Sequence, residues 1–424
     1  MKAQVYQFRD GLRLVHLERK STRAVAIGIL TGAGSENETA KNNGVSHFLE
    51  HMFFKGTKTR SSLDIVKEID ALGAQINAFT SKTSTCFYTF SIDEDSEKCA
   101  EILSDILFNS VFDKEELERE RKVVLEEISM SDDDNADVSQ ETAATLYYGD
   151  NALARPILGT RETVGSLTRE DLLGYIEENY CAQNTVIAVV GNITQSRARK
   201  LVEKYFEGRF RSIPDRVWKD LPHQTEGGTK KIFKPIEQAN ITMLFPSVSM
   251  TDENYLAVNA GGYVFGGGMS SRLFSEVREK HGLAYSVYSY NSCCANNGYA
   301  GVYIGTNTKS ALHAVEIVAE IIADVRKNGF TEEEFRRSVQ QAKAAYILGQ
   351  DSNGAMMRYY AKWLLMTDSL NDFDELIFRL ENMKYDDFNN IYMKEFDACK
   401  ASLAYVGKET DADLYGAIKK QTEE

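Results

Sequence analysis

The chain has 424 residues, of which 43% are hydrophobic and 26% charged, with a net charge of -14. That length exceeds what one hydrophobic core organises, so two or more domains are expected. The acidic balance repels phosphate backbones and excludes nucleic acid as a natural partner. It reads first as solubility, and second as an acidic cavity that attracts basic peptides.

The opening Met1-Lys2-Ala3-Gln4-Val5-Tyr6-Gln7-Phe8 has neither an apolar h-region nor an Arg-rich presequence. No apolar run approaches the roughly 20 residues needed to cross a bilayer, so no membrane partner is expected. A cytoplasmic, bacterial location fits. The six cysteines (Cys86, Cys99, Cys181, Cys293, Cys294 and Cys399) form no Cys-x-x-Cys pair and read as thiols in a reducing compartment.

The first chemically informative segment is Gly44-Val45-Ser46-His47-Phe48-Leu49-Glu50-His51-Met52-Phe53-Phe54. Its apolar residues predict a buried helix. His47 and His51 stand at i and i+4, so both imidazoles share one face with Cβ atoms about 6 Å apart. That separation suits one Zn²⁺ bound through nitrogen at about 2.0–2.1 Å. Glu50 lies on the same side and is left to act on water at the metal. The order His-x-x-Glu-His is a zinc-peptidase signature, whereas a bare pair of histidines on an apolar helix is also a satisfied core pair.

Leu63 to Ile69 predicts a helix that stops near Gly73 and enters a strand; Thr85 to Ile92 alternates as a strand; Ser96 to Ser110 is amphipathic. Asp113 caps the next helix, Lys114 to Met130, whose first turn is acidic. A catalytic zinc wants three protein ligands and one open position. This helix is the best source of the third, with Glu120 and Glu127 seven residues apart on one face. Periodicity alone does not choose between Glu126 and Glu127.

Pro214 to Lys231, polar with Pro222, Gly227 and Gly228, predicts a linker. Beyond it the pattern repeats. Leu273 to Arg278 ends near Gly282, Gly298 to Thr306 alternates, Lys309 to Asn328 is amphipathic, and Thr331 caps a helix matching the one after Asp113. The fold class is therefore α+β: two homologous halves, 1–213 and 232–424, each a mixed or antiparallel sheet with helices packed on it. In the second half Ala257 and Gly261 fall near the positions of His47 and His51, and Ser338 and Ala345 replace Glu120 and Glu127. That half keeps the scaffold and lacks every ligand.

His47-Phe48-Leu49-Glu50-His51-Met52-Phe53-Phe54-Lys55-Gly56-Thr57 closely resembles the motif of the pitrilysin/insulin-degrading family. It is most similar to the branch of the mitochondrial processing peptidase β-subunit and the bacterial processing-protease-like enzymes. The resemblance covers essentially the whole chain and implies the processing-peptidase-like metallohydrolase fold. It selects Glu127, 76 positions past His51, as third zinc ligand and Glu120 as a glutamate supporting the site. It implies that Gln75 to Ser81 pairs with substrate backbone through Asn77, Ala78 and Phe79. The glycine-rich Gly266-Gly267-Gly268 segment and the pair Arg278 and Tyr285 match the family's contribution from the far half to catalysis.

By that resemblance the first half is the catalytic zinc-binding domain and the second supplies substrate and oxyanion contacts. The expected activity is a zinc-dependent endopeptidase with one Zn²⁺ per chain. Its substrates are peptides or unfolded segments, Glu50 is the general base, and Arg278 and Tyr285 assist. The family builds its chamber from four such α+β units, so a homodimer, or a heterodimer with a homologous subunit, is implied. The competing expectations are a non-catalytic structural or substrate-presenting subunit, and a zinc hydrolase acting on something other than peptides.

Overall fold

The computed structural model of the chain describes residues 2–213 and 227–423. Two compact units emerge, and neither follows the halves of the sequence. One comprises Met1–Ser129, Arg155–Lys219 and Leu348–Asp372; the other comprises Met130–Ala154, Asp220–Ile347 and Phe373–Glu424.

The first unit is built on a six-stranded sheet. Its strands are β1 (Gln4–Gln7), β2 (Arg13–Glu18), β3 (Ala24–Thr31), β4 (Gln75–Thr80), β5 (Thr85–Ile92) and β6 (Thr185–Gly191), in the order β1-β2-β6-β3-β5-β4. Only the β2–β6 pairing is parallel, so the sheet is mixed, as expected. Strands β3 and β6 read as near-continuous apolar runs because both of their faces are covered. Val25, Ile27 and Ile29 face a core shared with α1 (Val45–Phe53), α2 (Ser62–Ala71) and α3 (Ser96–Asn109). The alternate residues face the helix Asn353–Thr367, which packs on β3 and β6. A Cβ on Gly28 would run into Met357 of that helix.

The second unit holds β7 (Gly228–Phe233), β8 (Gln238–Ser247), β9 (Ala284–Cys293), β10 (Gly298–Asn307) and β11 (Ser402–Gly407), in the order β7-β11-β8-β10-β9. Again one pairing, β11 with β7, is parallel. The order matches β2-β6-β3-β5-β4, so the repeat read from sequence is a repeat of topology. The helix Asn353–Thr367 has its counterpart in α5 (Asn135–Tyr148), which packs on β11 and β8.

The expected linker needs correction. Residues 214–226 lie outside the described residues, but Gly228 to Lys231 belong to β7. An edge strand with exposed Thr229 and Lys230 looks polar enough to pass for a connector. The expected helix Leu273–Arg278 is a π-helix, Phe274–Lys280, and does end before a left-handed glycine, Gly282, at φ 61°. Among the described residues no helix is long and apolar enough to cross a membrane.

Candidate metal centre and active site

Helix α1 buries Val45, Phe48, Leu49, Met52 and Phe53 completely, and these positions recur at helical spacing on one side. His47, Glu50 and His51 occupy the opposite face. The helix lacks a side-chain cap at its N-cap residue, Gly44, which adopts φ 94°. The buried carboxylate of Glu38 takes that role instead. It accepts from the Gly44 amide (2.8 Å), the Ser46 amide (2.9 Å) and Asn43 Nδ2 (2.7 Å). Three donors, two of them orphan helix amides, thus meet one acceptor group. Gly44 is also forced by space, since a Cβ there would lie 2.7 Å from the Leu158 carbonyl.

Helix α4 (Lys114–Asp133) brings the third donor. Its buried stripe is Leu117, Glu120, Val124 and Ile128. Glu127 borders that stripe and is half-buried, while Glu126 is exposed. Glu127 Oε2 stands 3.7 Å from His47 Nε2 and 3.5 Å from His51 Nε2. The three donor atoms lie within 4.8 Å of one another, the one such cluster among the described residues.

The donor set suits zinc. Nε2 of both rings and one carboxylate oxygen converge. The rings sit edge to face with centroids 4.6 Å apart. His51 Nδ1 lies 2.8 Å from Glu120 Oε1, so Nδ1 carries the proton and Nε2 keeps its lone pair for a metal. Glu120 is itself held by Lys55 Nζ at 2.6 Å from Oε2. His47 Nδ1 is buried without a hydrogen-bond partner.

Electrostatics follow the packing. Burial, with the His51 ring second, lowers the His47 pKa to about 4, so that ring is neutral at physiological pH. Burial pulls His51 the same way, but the Glu120 hydrogen bond and the charges of Glu127, Glu120 and Glu50 outweigh it and raise the pKa. Glu120 is pushed up by burial and brought net below its ordinary range by His51 and Lys55. Burial raises the Glu50 carboxyl, against the pull of its Thr80 hydrogen bond. A half-buried carboxyl of raised pKa beside a cluster of donor atoms has the properties a general base would need.

Strand β4 closes one edge of the sheet. Asn77 is exposed, Ala78 packs towards the core, and Phe79 lies against the Tyr88 ring at 6.3 Å. Thr80, the last residue of β4, donates to Glu50 Oε2 at 2.6 Å. Thr80 and Lys55, which touch Glu50 and Glu120, are not singled out by the sequence. Lys55 had a weak signal, four places past His51, and Thr80 had none.

In the second unit Arg278 and Tyr285 come together. Arg278 Nη1 donates to the Tyr285 carbonyl at 2.7 Å, and its guanidinium lies 4.9 Å from the centroids of both Phe274 and Tyr285. Tyr285 is 83% exposed. The repeat positions carry no donors. Ala257 and Gly261 are buried in the helix Tyr255–Phe265, and Ser338 returns its hydroxyl to the Phe335 carbonyl. Beside them, a cavity of about 320 Å³ is lined by residues that include Tyr255, Asn259, Tyr263, Tyr290, Asn291 and Tyr346, with no imidazole or carboxylate.

Residues 14–161 match the family model described as Insulinase (Peptidase family M16), and residues 166–342 match Peptidase M16 inactive domain. An uncharacterized zinc protease of Bacillus subtilis, YmxG, is 37% identical over 92% of this chain and 95% of its own length. One from Streptomyces coelicolor is 35% identical over 94% of this chain and 88% of its own. The fold is shared with the peptidase M16 inactive domain protein from Pseudomonas fluorescens (TM-score 0.91, 19% identity, 97% of this chain and 98% of that one). It is also shared with a protease from Helicobacter pylori (TM-score 0.87, 21% identity, 96% and 99%). With both family models matched in order and bacterial zinc proteases aligned along nearly the full length, this chain belongs to the M16 family of peptidases.

Proposed function

We propose that the chain is a zinc-dependent endopeptidase cutting peptides or unfolded segments, with one Zn²⁺ held by His47, His51 and Glu127. The observation that carries this is the convergence of three donor atoms, with the half-buried carboxylate of Glu50 on the same face of α1 as His47 and His51. Bound zinc supplies Lewis acidity, polarising a carbonyl and acidifying water. Glu50 takes the proton from the attacking water and returns it to the leaving amine. Glu120 and Lys55 hold His51 in its donor tautomer. The open edge of β4 receives substrate as an added strand, with Asn77, Ala78 and Phe79 reading its backbone. Arg278 and Tyr285 grip a substrate carbonyl and the developing oxyanion.

A second M16 chain, a copy of this one or a homologue, completes the chamber in this reading, and the protein works in a bacterial cytoplasm. The non-catalytic alternative predicts a broken donor set, whereas His47, His51 and Glu127 are all present and close together. The test is Glu50→Gln. Metal analysis should find zinc at the wild-type ratio, while cleavage of an unstructured peptide, followed by mass spectrometry, should fall by about 100-fold or more. Near-normal cleavage by this variant would remove Glu50 from the mechanism. Wild type with zinc but no cleavage of any peptide would favour the non-catalytic reading.

A further inference from the structure

We infer that Thr80 is a positioning residue for Glu50, so that the strand receiving substrate also aims the general base. The inference rests on the peptidase reading above and adds to it a residue that the donor cluster does not contain.

Strand alternation puts Ile76, Ala78 and Thr80 on one face of β4 and Asn77 and Phe79 on the other. Ile76 and Ala78 use that face to pack against the core, and α1 packs on β4 there. Thr80 is the polar member of the set. Its hydroxyl has one proton to give and two oxygens near it: Glu50 Oε2 at 2.6 Å and Thr85 Oγ1 at 3.4 Å. Thr85 spends its own proton on the Ala33 carbonyl at 2.7 Å. It is therefore only an acceptor towards Thr80, and a distant one. The short, charge-assisted bond to Glu50 takes the Thr80 proton.

The consequence for Glu50 is directional. A glutamate on a helix surface has three side-chain torsions to sample, and ordering them costs up to about 2 kcal/mol. A donor fixed to the sheet holds one oxygen, and the rigid carboxylate plane then sets where the other points. Because that donor is the end of β4, seating an extended peptide on β4 steadies Thr80 and the base together. Tight aim matters, since small misplacement of a reacting group costs large factors in rate.

The experiment compares Thr80→Val, which removes the hydroxyl at nearly constant shape, with Thr80→Ser, which keeps it. Thr80→Ala serves as a second hydroxyl-free variant should valine not fold. Melting temperature and zinc content are measured alongside steady-state cleavage of an unstructured peptide. The hydroxyl-free variant should lose about tenfold or more in kcat with KM within about twofold and zinc unchanged, and serine should recover most of kcat. Serine as impaired as valine would assign the effect to the methyl group and overturn the inference. So would a loss confined to KM, or unchanged kcat without the hydroxyl. Those outcomes leave an active wild type and hence the peptidase reading intact. A wild type that cleaves nothing sinks both.

Discussion

Replacing Glu120 by alanine removes a carboxylate that, in the proposed site, touches no metal-ligating atom but orients the ring that carries one. Its side chain is only 7% exposed, and it bridges His51 Nδ1 at 2.8 Å and Lys55 Nζ at 2.6 Å. A hydrogen bond to a charged partner in such a place contributes about 1.5–3 kcal/mol. Loss of a carboxylate behind a ligating histidine costs about 10- to 100-fold in metal affinity, which is about 1.4–2.7 kcal/mol, and the two ranges agree. One effect opposes this. Glu120 also raises the proton affinity of His51, and a proton on that ring competes with the metal. Measuring at pH 8 weakens the competition and leaves the orienting effect. Glu120→Gln should lie between alanine and wild type: its carbonyl still accepts from Nδ1–H, but its amide meets the Lys55 ammonium donor to donor. Zinc affinity by competition with a chromophoric chelator, at fixed salt, measures all three. An alanine variant that is folded and binds zinc within about twofold of wild type would refute the role given to Glu120.

The remaining predictions concern stability. Met357 is fully buried against the face of β3 that carries Gly28, so Met357→Ala should cost about 2–5 kcal/mol in urea unfolding followed by circular dichroism. Gly28→Ala, which drives a methyl into the same side chain, should cost about 1–3 kcal/mol. The double variant should cost clearly less than the sum, and simple additivity would mean the two residues do not share that space. In the second unit Glu395 is buried, accepts from Ser247 Oγ at 2.7 Å, and is pushed from 4.5 up to about 7, chiefly by burial with Asp252 adding to it. The folded state then binds more protons than the unfolded one between those values. Stability therefore falls as pH rises through that window, by at most about 3 kcal/mol. Glu395→Gln should flatten this part of the urea-midpoint profile between pH 5 and pH 8, and parallel profiles for variant and wild type would contradict the assignment.

How much of this was legible beforehand depends on whether a feature is local. Helix α1 was readable because its apolar positions and its two histidines follow one helical period. The cap of α1 was not. Gly44 is visible in the sequence, but the acceptor is Glu38, six residues earlier across a loop, and nothing in the spacing marks it. Glu126 and Glu127 were indistinguishable by periodicity, because the apolar stripe of α4 shows which side is buried but not how far the helix rolls against α1. The resemblance chose Glu127, whose carboxylate lies beside both rings. Strand β7 was lost to its own polarity. Thr80 was hidden because a single hydroxyl at a strand end has no pattern until the partner is placed.

The division into halves shows the same limit at larger scale. Helical period in a sequence cannot say what α5 and the helix Asn353–Thr367 pack against. Each packs on the sheet of the unit that the opposite half of the chain supplies. This has a physical consequence for the site. Strands β3 and β6 are apolar on both faces, so the unit that carries His47, His51 and Glu127 needs a cover on the side away from α1. That cover comes from residues 348–372. A first half cut off before residue 214 would expose Ala26, Leu30 and their neighbours on β6 to water. The second half is in this sense required by the first. It can lack every donor and still be needed, because the helix it contributes covers the sheet against which the donor-bearing helix α1 packs.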